Sequence, residues 1–143
     1  MLLFSINAHG TQFEVHDSIH VNTARIDQAA PRIKLFTIAR LKEILTLAAK
    51  DLPQYTTTER IAITFIVDSG RTGCLLIAYK ENRVTIITAL YNVKRTIDDV
   101  FKGVPHCYLE DYIFVKPTIK ELRKDYFRRA ALIASDNLSN TSM

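Results

Sequence analysis

The sequence predicts an α+β domain: an antiparallel sheet, made of an N-terminal hairpin plus a three-stranded meander, with helices packed on one face. Three observations lead there. Residues 60–91 hold three β-rich runs separated by short turn signals. Two segments, about 32–50 and 118–133, repeat apolar residues at steps of three and four. Two β-prone runs flank Gly10 near the start. Strands and helices are grouped rather than strictly alternating, which is the pattern of helices segregated against an antiparallel sheet.

In the hairpin, residues 2–7 and 12–17 are short β-prone runs, and Gly10 supplies the positive φ of a tight turn. Asp17 or Ser18 can cap a short helix over 18–28, which Pro31 separates from the next element. That next helix, about 32–50, carries the stripe Leu35, Ile38, Leu41, Leu45 and Ala48. Leu52-Pro53 ends it, and 54–59 is a threonine-rich connector. The runs 60–67, 72–80 and 83–91 follow, with turns at Asp68-Ser69-Gly70 and Glu81-Asn82. These turns are too short for crossover helices, so the three strands pair antiparallel. Val84, Ile86, Thr88 and Leu90 alternate onto one face of the third strand.

A helical turn is expected at 96–103 and a strand at 107–115. The last helix opens with a T-x-x-E capping box, Thr118 and Glu121, after Pro117. Its expected inner stripe is Ile119, Leu122, Tyr126, Ala130 and Ile133. Residues 1–135 form one domain in this reading, and 136–143 form a flexible polar tail.

Composition narrows the function classes. Apolar residues make up 48% and charged residues 24%, a globular balance. Two cysteines, Cys74 and Cys107, make no C-x-x-C pair or disulfide framework, which fits a cytoplasmic location. No apolar run approaches the roughly 18 residues of a membrane span, so no membrane partner is expected. The four glycines build neither G-x-G-x-x-G nor G-x-x-x-x-G-K-[ST], so no nucleotide cofactor is expected. There is no H-E-x-x-H, and the cap at Asp17-Ser18 separates His16 from His20, so no metal site is expected. Cys74 sits in an apolar strand, where a thiol is inert filler.

The net charge of +4 gains meaning where cations gather on one face. Lys120, Lys124 and Arg128 follow one another at four-residue steps on the last helix, with Arg123 and Arg129 beside them. Such a row can neutralise phosphates and release counterions. A solvated helix face is the competing reading, and Glu121 and Asp125 are expected to dilute the charge. Lys94 and Arg95 add a second basic pair after the third strand.

A candidate catalytic set is His20, Arg25 and Arg32 with Thr88. Cleaving RNA through its own 2′-hydroxyl needs a base, an acid and cations for the phosphorane, but no metal or cofactor. Histidine titrates in the right range, and arginine forks match phosphate geometry. From His20 to Tyr91 the chain resembles the RelE-like endoribonuclease superfamily, to which the phage RegB-like enzymes belong. There a helical H-x-x-x-R segment with a further arginine precedes a twisted antiparallel sheet. The segment 19–33 supplies His20, Arg25 (five residues on, one beyond that spacing) and Arg32, and the strand pair 72–95 supplies Thr88 after an apolar run. The resemblance implies a metal-independent endoribonuclease.

A non-catalytic regulator or inhibitor that docks on a protein or nucleic-acid partner is the alternative. It rests on the lack of a strong catalytic motif and on Tyr108, Tyr112 and Phe114, residue types that anchor interfaces.

Overall fold

A computed structural model describes residues 2–8, 10–17, 36–55, 60–93 and 101–141. Strands β1 (Leu2–Ala8) and β2 (Thr11–Asp17) form the expected hairpin, with Gly10 at φ 76° in its turn. Helix α1 spans Ile38–Ala49, and a single 3₁₀ turn covers Leu52–Tyr55. Strands β3 (Arg60–Val67), β4 (Thr72–Lys80), β5 (Arg83–Val93) and β6 (His106–Phe114) follow. Helix α2, Ile119–Thr141, is the last element.

These strands form one six-stranded mixed sheet in the order β1-β2-β5-β4-β3-β6, not the antiparallel sheet that the sequence suggests. The pairs β1–β2, β3–β4 and β4–β5 are antiparallel, whereas β2–β5 and β3–β6 are parallel. Short turns dictate only the pairing of strands that are neighbours in sequence. Across the two longer connections, 18–59 and 94–105, β3 runs the same way as β2 and β6 the same way as β5, and this produces the parallel pairs. α1 lies in the first connection. In the second, Phe101 and Val104 pack over Ala62, Cys74 and Leu76 on the opposite face.

The main core lies between α1 and the sheet. Leu41, Ile44, Leu45 and Ala48 of α1 meet Ile61, Ile63, Leu75, Ile77, Val84 and Ile86. Helix α1 begins six residues later than the predicted start near 32. Thr37 is its N-cap, with Oγ1 accepting from the Arg40 N–H at 3.2 Å. Just before it, Phe36 turns inward against Phe65 and Phe114, with ring centroids 6.2 and 5.0 Å away. A helix continued back through Phe36 would give up both the cap and that packing. Leu35, the predicted short helix at 18–28 and most of the predicted turn at 96–103 lie outside the described residues.

Two of the sheet's four register shifts bear on residues singled out from the sequence. On β5, Thr88 pairs with Leu76 but Ile86 pairs with Ile77, so Ile87 is a bulge. The bulge flips the pleat. Val84 and Ile86 face the main core, whereas Thr88 sits with Leu76 on the opposite face, which corrects the expected alternation through 84, 86, 88 and 90. On the edge strand β6, the parallel register with β3 jumps from Leu109 to Ile113. Glu110, Asp111 and Tyr112 bulge out between them. A bulged, acidic edge is a poor template for pairing with another chain.

Candidate nucleic-acid interface

Helix α2 starts as its sequence dictates. Pro117 is buried at the approach, and Thr118 Oγ1 accepts from the Glu121 N–H at 3.2 Å. The face it turns inward is not the expected one. Leu122, Asp125, Arg129 and Leu132 are shielded, at helical steps of three and four, while Ile119 and Tyr126 are 71% and 69% exposed.

The cause is polar docking. Asp125 Oδ1 accepts the Ile38 N–H at 2.7 Å, so this carboxylate caps the N-terminus of α1 from another helix. Its Oδ2 accepts from Arg129 Nε, also at 2.7 Å, and Arg129 Nη2 donates to the Phe36 carbonyl. One turn earlier, Glu121 pairs with Arg40 at 3.1 Å, and Arg40 also holds Glu43 and the Val115 carbonyl at 3.1 Å each. Tyr112 donates to Glu43 at 3.0 Å, and burial followed by that carboxylate pushes its phenol well above the usual value. A hydrophobic stripe would have set the rotation of α2 by area alone. Here the buried N–H at the start of α1 and the half-buried Asp125–Arg129 pair, which must find partners, override it.

The rotation sorts the charges of α2. Glu121 and Asp125, expected to dilute the basic row, are both turned toward α1 and consumed in ion pairs. Arg129 is consumed with them. Lys120, Arg123, Lys124 and Arg128 are all exposed, and none carries an ion pair among the described residues. Phe127, 71% exposed, stands among them, with Tyr126 beside it at 5.6 Å between ring centroids and 77° between planes. The outer face of α2 is therefore cationic and aromatic, with no acid on it through residue 132. The i,i+4 spacing of Asp125 and Arg129 was the one sequence signal that could have shown which charges pair internally.

The other predicted site residues divide. His20, Arg25, Arg32, Lys94 and Arg95 lie outside the described residues. Thr88 is half-buried on the sheet face away from α1. The aromatic trio of β6 is split: Phe114 is fully buried, Tyr112 is held against α1, and Tyr108 is exposed. His16 is on a strand, with Nδ1 3.2 Å from Arg83 Nη2. Burial pushes the Cys74 thiol up to about 12 and the Cys107 thiol up to about 11, so neither is a nucleophile at neutral pH.

No family model, curated protein or solved structure matches the chain. No described helix is long and apolar enough to cross a membrane.

Proposed function

We propose that this protein binds RNA through the outer face of α2, and that it belongs with small, metal-independent, RelE-like endoribonucleases acting in the cytoplasm. The observation that carries the binding is the sorting of charge on α2. Glu121 and Asp125 are locked against α1, while four cations and two aromatic rings face outward. Phosphates are bound by such cations through counterion release, and bases by exposed rings. Cleavage falls to His20, Arg25 and Arg32 with Thr88, on the strength of the resemblance, with Lys94 and Arg95 as further phosphate contacts.

Binding is tested by titrating labelled RNA at several salt concentrations. Affinity should fall steeply with salt, and joint reversal of Lys120, Lys124 and Arg128 to Glu should abolish it. Affinity unchanged by the triple reversal would reject α2 as the interface. Cleavage is tested separately: RNA cut in EDTA to leave a 2′,3′-cyclic phosphate, and lost in His20→Ala, supports the nuclease. A broad RNA panel left intact rejects it.

One observation favours a second reading, a protein-binding regulator. Ile66 and its β3–β6 partner Ile113 are 44% and 60% exposed, and Tyr108 lies on the same strand. That apolar strip suits a protein partner. One stoichiometric protein recovered from lysate, and lost with Ile113→Lys, would favour it over RNA.

A further inference from the structure

Resting on the RNA-binding reading, we infer that the α2 face takes single-stranded RNA, with a base stacked on Phe127 and the flanking phosphates held by Arg123, Lys124 and Arg128. Side chains on a helix lean toward its N-terminus, so the Phe127 ring lies over the preceding turn, which carries Arg123 and Lys124 at i−4 and i−3. Arg128 follows it directly. Lys120, Lys124 and Arg128 succeed one another at about 6 Å along the axis, given the 1.5 Å rise per residue. A cationic track thus runs beside the ring.

On the other side of Phe127 the outer face continues with Ala130, Ala131 and Ala134, all exposed and all small. These three methyl side chains are too short to screen the ring, which is 71% exposed. Tyr126 meets it nearly edge-on and walls one flank.

This combination selects a single strand. In a duplex, base faces are hidden in the stack, and the A-form major groove is too deep and narrow for side chains to read. A duplex would therefore meet only the cations of α2 and leave Phe127 and Tyr126 in water. A single strand presents phosphates and open base faces together, and base–aromatic stacking tolerates any sequence.

The test is an anisotropy titration of the full chain with a short pyrimidine-rich oligoribonucleotide, alone and annealed to its complement. The single strand should bind at least about tenfold more tightly than the duplex. Phe127→Ala should weaken single-strand binding roughly tenfold. It should leave duplex binding and the salt slope unchanged, because no phosphate contact is lost. Phe127→Tyr should retain binding. Lys124→Ala should instead lower the single-strand salt slope by about 0.7, the loss of one phosphate contact. Equal affinity for both forms, with Phe127→Ala neutral, would overturn the single-strand inference and leave RNA binding standing. Failure of both forms to bind would overturn the RNA-binding reading itself.

Discussion

At the scale of single residues, Gly73 shows how one missing side chain sustains the core. A Cβ there would lie 2.5 Å from Phe65 Cε2 and 3.1 Å from Val67 Cγ1. The Phe65 ring has nowhere to go, because Phe36, Tyr112 and Phe114 surround it at 5.8–6.2 Å between centroids. Gly73→Ala should therefore destabilise by about 1–3 kcal/mol, the usual cost of overpacking. An unchanged urea midpoint would mean that the ring can swing aside.

His16 gives a residue-scale pH dependence. Burial, then the positive charge of Arg83, holds its pKa below the ordinary 6.5, against the opposing pull of Glu14. The folded protein thus binds the imidazole proton less readily than the unfolded chain. This contribution to stability is complete above pH 6.5 and is lost as pH falls through the lower folded value. His16→Gln should flatten the fall in urea midpoint just below pH 6.5. An identical pH profile in the variant would assign the fall to other groups.

At the scale of elements, the two helices are held by opposite means. α1 is anchored by area: Leu41, Ile44, Leu45 and Ala48 are buried against the sheet. Leu41→Ala should cost about 2–5 kcal/mol, as deletion of a core leucine does. A melting curve that did not move would remove Leu41 from the core. α2 is anchored by Asp125, Arg129 and Glu121, with Leu122 and Leu132 only partly covered. Ile119, Tyr126 and Phe127 are thereby left at the surface, which is why the same rotation that breaks the expected stripe also creates the candidate interface.

At the scale of the whole molecule, the mixed sheet sets a gradient of stability. β4 is flanked on both sides, and residues 73–77 are buried on both faces. β1 and β6 are edges, and β6 is bulged. Native-state hydrogen exchange should be slowest at residues 74–77 and clearly faster in α2, which is tied down by few groups. Exchange in α2 as slow as in β4 would show that the helix is part of the central cooperative unit and not a surface-docked element.

The sequence alone determined the features that depend on local chemistry. The hairpin around Gly10, the tight turn at Glu81-Asn82 with both residues at positive φ, the apolar stripe of α1 and the Thr118 cap of α2 follow from nearby residues. The basic row on α2 was visible for the same reason. Tertiary structure decided the rest. Parallel pairing of β2 with β5 and of β3 with β6 depends on where long connections land, which no local pattern encodes. The Ile87 bulge moved Thr88 to the other face by one residue of register. The rotation of α2 was settled by the unsatisfied N–H at the start of α1 and by the Asp125 carboxylate 87 residues away that meets it. A buried polar group must be paired wherever its partner lies in the chain, and that requirement outweighed the hydrophobic periodicity of the helix that supplies the partner.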